Sequence, residues 1–321
     1  MNRIARSVPS ATPSAVAAKS AVLTRLELDV ARRVEGVLSG NYAGFGRGPG
    51  SERVGSRRYE PGDDARRIDW NLTARAAHPH VHVTEPDREL ETWFVADQSP
   101  SLDFGTAERE KRELVLVALA TFGFMGTRAG NRLGVLIAGG ETIRRIAPRA
   151  GRTAVLTALS ALYDAPRRSA APQAGADLAT ALGQLQRTHH RRGRVVVASD
   201  FLDDTDWAKP LGALAHHHDA IAVHAVDRRE LELPDVGLLR VVDPESGRLL
   251  EVQTRSPKLR TRYAEAAAAR NTTIRAAIEN AGVEYLQLRT DGDWVFDMVR
   301  FLSTRRPTHP RARGLRGTVT S

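Results

Sequence analysis

Between residues 93 and 303 the chain alternates short apolar runs with longer segments of helical spacing. The runs "WFVAD" (93–97), "NRLGVLIAGG" (131–140), "GRVVVASDF" (193–201) and "DAIAVHAVD" (219–227) are short and almost continuously apolar. That is the pattern of strands buried on both faces. "EYLQLRT" (284–290) reads as a last strand, "ETIRRIAP" (141–148) as one paired with its predecessor, and 236–254 as a hairpin around "DPESG". Helical spacing falls near 107–128, 151–163, 175–188, 205–217, 257–281 and 292–303. In the first of these Leu114, Val117, Ala118, Thr121, Phe122 and Met125 share one face. Strands alternating with helices predict an α/β domain over 93–303, a mostly parallel sheet with helices on both faces.

The part before residue 93 has a different texture. Residues 1–20 carry Ser, Ala and Pro with no continuous apolar stretch, so they read as a disordered arm rather than a signal peptide. In 21–39, Leu23, Leu26, Val30, Val34 and Val37 recur every three to four residues, which predicts an amphipathic helix. The glycine-rich segment 40–52 has no preceding strand and no Gly-Lys-Ser/Thr, so it is not a phosphate-binding loop of the Walker type. Residues 53–92 read as extended segments and turns, with "HVHVT" alternating as a half-buried strand does. The expected organisation is an arm (1–20), a helix and β-rich extension (21–92), the α/β domain (93–303) and a basic flexible tail (304–321).

Two chemical classes drop out early. There is no cysteine, which removes disulfides, thiolate zinc sites and thiol nucleophiles, and suits a reducing cytoplasm. No apolar stretch approaches the ~20 residues that span a bilayer. The net charge of +9 comes almost wholly from arginine: only 4 of the 47 basic residues are lysine. An arginine-rich nucleic-acid binder is one reading of that charge, but the arginines are spread along the chain rather than clustered.

In parallel α/β sheets ligands bind beyond the carboxyl ends of the strands. Two strands here end on aspartate at that edge, Asp97 and Asp200. Asp97 is followed by Ser99 and Ser101, and alternate side chains of an extended turn point the same way. One carboxylate and two hydroxyls converging on a point form a hard oxygen set, suited to Mg²⁺, Mn²⁺ or Ca²⁺. The alternative on the pattern alone is that Asp97 caps a loop and the serines satisfy turn amides. A haloacid-dehalogenase-type phosphatase needs a second aspartate where Ser99 stands, and no Gly-x-Ser-x-Gly elbow occurs, so no catalytic constellation is evident. A metal-dependent hydrolase at the same edge is the remaining enzymatic reading.

Other candidates read as structural. Asp63, Asp64 and Asp69 interleave with Arg66 and Arg67 as an ion-paired loop, and Trp70 reads as a core anchor. His78, His80 and His82 alternate on an extended segment with a proline between them and no carboxylate partner. His216, His217 and His218 fall at a helix end.

The segment 57–105, "RRYEPGDDARRIDWNLTARAAHPHVHVTEPDRELETWFVADQSPSLDFG", closely resembles the signature of the bacterial family catalogued as domain of unknown function 58. Tyr59, Gly62, Asp63, Asp64, Arg66, Ile68, Asp69, Trp70, Ala74, Arg75, Glu85 and Arg88 carry the resemblance. "DQSPS" after one strand and "SD" ending a later one resemble the metal-ion-dependent adhesion site of a von Willebrand factor A domain. The resemblance implies a von Willebrand A-type, Rossmann-like fold preceded by a helix and β-rich extension. It further implies a metal site at Asp97, Ser99, Ser101 and Asp200. It implies no enzymatic activity, and partnership with a MoxR-type AAA+ ATPase in maturing or assembling a client protein. The family's threonine ligand aligns with Ala176, so one direct oxygen is missing and water would have to replace it.

Overall fold

The computed structural model describes residues 13–34, 53–59, 68–76, 78–84, 90–107, 109–139, 142–166, 177–203, 205–242 and 249–305. Its centre is a six-stranded sheet. The strands are β3 (Glu91–Asp97), β4 (Arg132–Ala138), β5 (Arg144–Arg149), β6 (Arg194–Ser199), β7 (Asp219–Val226) and β10 (Glu284–Arg289). They lie in the order β5-β4-β3-β6-β7-β10, all parallel except β5, which runs antiparallel to β4 at one edge. Chain order reverses direction at β3, so β3 and β6 flank the topological switch point where such sheets bind ligands.

Parity along β3 distributes the core. Phe94 and Ala96 face the layer of α3 (Lys111–Arg128), α4 (Arg152–Tyr163) and α9 (Trp294–Thr304). Trp93 and Val95 face α5 (Leu178–Thr188), α6 (Ala208–Ala215) and α8 (Pro257–Asn280). Every residue of β3 from Thr92 to Asp97 is buried, which is why its sequence shows no polar alternation.

The helix α3 departs from its amphipathic reading. Its residues are buried almost continuously from Leu114 to Gly126, not along one face. The cause lies in the extension. A helix α1 (Pro13–Asp29) runs into a π-helical turn, Val30–Val34, and Leu23, Val30 and Val34 join the core cluster on α3's outer side. Arg152 of α4 pairs with Glu27, with 2.7 Å from Nη2 to Oε2, and Lys19 pairs with Asp164, so the extension is also tied down by charge. The helix starts within the segment read as an arm: proline is tolerated in a first helical turn and three alanines follow within six residues. Val37, and the arm before residue 13, lie outside the described residues, as does the tail beyond 305.

The extension also contains β1 (Arg53–Arg58) and β2 (His80–Thr84), paired antiparallel, and a one-turn helix α2 (Trp70–Thr73) between them. Asp69 caps α2, accepting the Leu72 N–H at 3.0 Å. Trp70 is 70% exposed, against the expectation of a core anchor. The single capped turn it opens has no buried residue, so it offers the ring no apolar face to close on. Beyond β7, a short helix α7 (Arg228–Leu231) leads to the expected hairpin, β8 (Leu238–Val242) with β9 (Leu249–Gln253). No described helix is long and apolar enough to cross a membrane.

Candidate functional site

The tips of β3 and β6 stand side by side, because the two strands pair in register up to Ala96 and Ala198. Asp97 is the last residue of β3 and is buried. Its Oδ1 accepts the Ser99 N–H at 2.8 Å; its Oδ2 accepts the Ser199 hydroxyl at 2.6 Å and the Ser99 hydroxyl at 3.2 Å. The Ser99 and Ser101 hydroxyls share a hydrogen bond of 2.9 Å. A 3₁₀ turn, Pro100–Asp103, bends the chain so that Ser101 comes back toward the strand tips, where its hydroxyl helps to lower the Asp200 carboxyl. Asp97, Ser99, Ser101 and Asp200 therefore meet in one cluster.

Two backbone features make this possible. Phe201, just after Asp200, adopts φ +53°, a left-handed conformation unusual for a bulky residue, and its N–H bonds the Ser199 hydroxyl at 2.8 Å. Strain of this kind persists only where the surroundings over-determine it, here by burying the ring against Trp207 and His224. Gly139, at the tip of β4, has φ +113°, and a Cβ there would lie 2.9 Å from the Gln98 carbonyl oxygen. The β4 tip thus presses directly on the residue after Asp97. Gln98 is fixed in turn by Arg112, whose Nη2 donates to Oε1 at 2.9 Å while Nη1 reaches Asp103 at 2.8 Å.

The surprise of the site is Lys111, the first residue of α3. It is wholly buried, and its Nζ donates to Asp200 Oδ2 at 2.7 Å and to Glu230 of α7. Glu230 belongs to a capping box: its Oε2 accepts the Asp227 N–H at 3.1 Å. Asp227, just beyond β7, is the third carboxylate on this edge. It accepts Thr106 N–H (2.9 Å), Thr106 hydroxyl (2.7 Å), Thr290 hydroxyl (2.6 Å) and Arg229 N–H (2.8 Å). The loop after the Asp-x-Ser-x-Ser segment is thereby sewn to β7 and to the end of β10.

The electrostatics of the two aspartates differ. Burial, and then the charge of Asp200, push the Asp97 carboxyl up to about 7; its hydrogen-bond donors are all neutral. Burial would also raise Asp200, but the charge and hydrogen bond of Lys111 outweigh it and hold Asp200 below the usual carboxylate range. Lys111 is likewise kept charged against burial by Asp200 and Glu230. Among the described residues, Lys111 is the one cationic side chain in hydrogen-bond contact with Asp97, Asp200 or Glu230. Three carboxylates around one ammonium leave two negative charges unbalanced when all are ionised. A divalent cation at Asp97, Ser99 and Ser101 matches that deficit, and the hard oxygen donors suit it. The described residues contain no group of three His, Asp or Glu with metal-binding geometry, so such an ion would rest on one carboxylate, two hydroxyls and water.

Ala176 lies outside the described residues, as do Asp63 and Asp64. Its neighbour Asp177 caps α5, accepting the Thr180 backbone N–H at 2.6 Å. His80 is held by its neighbour's carbonyl, His78 O, at 2.8 Å from Nδ1. His218 is buried and stacks on His189 at 5.1 Å, a packing role. Sequence reasoning missed Lys111, Ser199, Asp227 and Glu230. Two signals did exist: the apolar run 219–227 ends on Asp227 as 93–97 ends on Asp97, and Lys111 is one of only four lysines in an arginine-dominated chain.

A six-stranded sheet in this order, with its antiparallel edge strand and an Asp-x-Ser-x-Ser turn at the switch point, defines a von Willebrand A-type α/β domain. The chain belongs to the family described as protein of unknown function DUF58, whose model matches residues 55–273. It is 46% identical over 287 residues to the uncharacterized protein Rv1480 of Mycobacterium tuberculosis, covering 89% of this chain and 90% of that protein. It is 40% identical over 162 residues to the uncharacterized protein MAV169 of Mycobacterium avium, covering 50% of this chain and 94% of that protein. Among solved structures it is similar to the conserved hypothetical protein BatB from Bacteroides thetaiotaomicron, at 12% identity and TM-score 0.41, covering 67% of this chain and all of that one. It is also similar to the SpRpn10 VWA domain, at 14% identity and TM-score 0.37, covering 66% and 94%.

Proposed function

We propose that this protein is a non-enzymatic protein-interaction module whose partner is a MoxR-type AAA+ ATPase, acting together in the maturation or assembly of a client protein in the cytoplasm. The observation that carries the reading is the convergence of Asp97, Ser99 and Ser101 at the switch point. Asp97, Ser99 and Ser101 would hold a divalent ion, Mg²⁺ or else Mn²⁺ or Ca²⁺. Asp200 would anchor it through water. Because the two hydroxyls add no charge, the bound ion keeps positive charge and attracts a carboxylate from the partner.

Lys111 is held between two carboxylates, an arrangement that supports a binding role for the site over a proton-transfer one. Against the nucleic-acid reading, Arg112, Arg152, Arg194, Arg240, Arg275 and Arg305 each pair with a carboxylate of the chain.

Capture of a purified MoxR-type ATPase on the immobilised full chain, with Mg²⁺ and with chelator, tests the proposal. Wild type should retain the ATPase only with Mg²⁺, and Asp97→Ala should lose it while keeping its circular dichroism and melting transition. Undiminished capture by Asp97→Ala or in chelator would show that the ion is dispensable.

A further inference from the structure

We infer that Lys111 is the resident cation of this site: its ammonium occupies the Asp200 carboxylate and so withholds that carboxylate from any metal ion. The inference concerns the site of the proposed function and sharpens it, since it divides the site's two aspartates between two cations. Asp97 is left for a soluble ion; Asp200 belongs to the chain.

The geometry carries this. Lys111 sits at the first position of α3, where its N–H bonds the Phe104 carbonyl at 2.9 Å, and its side chain runs wholly buried to the strand tips. The ammonium meets Asp200 Oδ2 at 2.7 Å and also bonds Glu230, while Asp200 Oδ1 takes the Leu202 N–H at 3.2 Å. Both carboxylate oxygens are therefore committed. A cavity of about 20 Å³ adjoins the pair, lined by Asp200, His224, Glu230 and Arg270 among others. That is room for about one water, far short of a hydrated divalent ion. Lysine also suits the position as arginine would not: a compact point charge fits between two carboxylates on a dry path, whereas a planar guanidinium demands a wider slot.

The ion pair has a second consequence. Through Glu230, Lys111 fastens Asp200 to the capping box at Asp227, which holds Thr106 of the loop after Ser101. Asp200 and Lys111 form a strut between the tip of β6 and the tip of β7. Lys111 is thus a positioning residue that sets the shape of the site and limits its affinity for metal.

Mn²⁺ binding, read by electron paramagnetic resonance of the free ion, tests this with four full-length proteins: wild type, Lys111→Gln, Asp200→Asn and the double variant. Freed Asp200 should make Lys111→Gln bind Mn²⁺ at least tenfold more tightly than wild type. In the Asp200→Asn background the same substitution should change affinity by less than threefold. An equal gain in both backgrounds would mean that Lys111 acts only as a remote charge, and no gain would mean that it withholds nothing; either result overturns the inference. If none of the four proteins binds Mn²⁺, the metal part of the proposed function falls, and urea unfolding of the same four decides the strut. The double variant should then be at least tenfold more stable, as an unfolding equilibrium constant, than the product of the single effects. Independent, multiplicative effects would overturn the inference, and a Lys111→Gln chain that folds only with Asp200→Asn would support it.

Discussion

At the scale of single residues, the site is set by close approaches that leave no slack. Gly139 is the clearest case. Its φ of +113° and the 2.9 Å gap between a notional Cβ and Gln98 act together, so Gly139→Ala should destabilise the chain by about 1–3 kcal/mol. The measurement is the urea midpoint, and an unchanged midpoint would mean that the β4 tip can retreat from Gln98. Asp97 and Ser99 were legible as a pair because an extended turn brings alternate side chains together whatever else the chain does. The ammonium opposite them was not legible, because Lys111 approaches from a helix start in the next segment and Glu230 from more than a hundred residues further on. Trp70 failed for a related reason: an aromatic is buried only if something stands over it, and nothing in the local sequence says what does.

Among elements, β7 and the two strand ends near its start hold the acid-sensitive groups. His224 on β7 is pushed down to about 4 by burial, and His218 to about 4 by burial and then by the neighbouring His189. In the unfolded chain both return to about 6.5. A histidine depressed in the folded state favours folding fully above its unfolded value and withdraws that support as pH falls toward the folded value. The histidine contribution should therefore decline from about pH 6.5 to about pH 4, by up to about 3 kcal/mol per histidine, while Asp97, raised to about 7, works in the opposite direction as it takes up its proton over the same range. Asp219, held low against its burial by Arg194 and Arg305, keeps its contribution until more acid conditions. Chemical unfolding of wild type and His218→Gln at pH 7, 6 and 5 isolates the histidine part: the variant should gain stability relative to wild type as pH falls, and a constant difference would mean that His218 does not titrate in this way. The pairing of β3 with β6 also fixes which carboxylates meet. Both strands were readable as buried, but only their register places Asp97 beside Ser199 and Asp200.

For the whole molecule, the extension is part of the core rather than an appendage. Val30 and Val34 are buried with α3 and α9, and this explains why α3 has no wet face. Replacing either valine by alanine should cost roughly 2 kcal/mol in thermal or urea unfolding, as for any fully buried aliphatic side chain. A loss near zero would mean that the α1 region packs loosely and that α3 tolerates solvent. Conversely, the exposed apolar residues of the β8–β9 hairpin, Leu238, Leu249 and Leu250, contribute little to the fold of the chain itself.

The sequence by itself determined the alternation of strands and helices, the α/β class, the family and the carboxylate–hydroxyl turn at the tip of β3. These depend on period and on neighbours within a few residues, and such information is local. Tertiary structure alone decided that Asp200 faces a lysine rather than open space, that Asp227 pins the loop carrying Thr106, and that α3 is enclosed by the N-terminal helix. Those outcomes depend on which remote side chain fills a low-dielectric gap between charges, and spacing along the chain does not encode that choice.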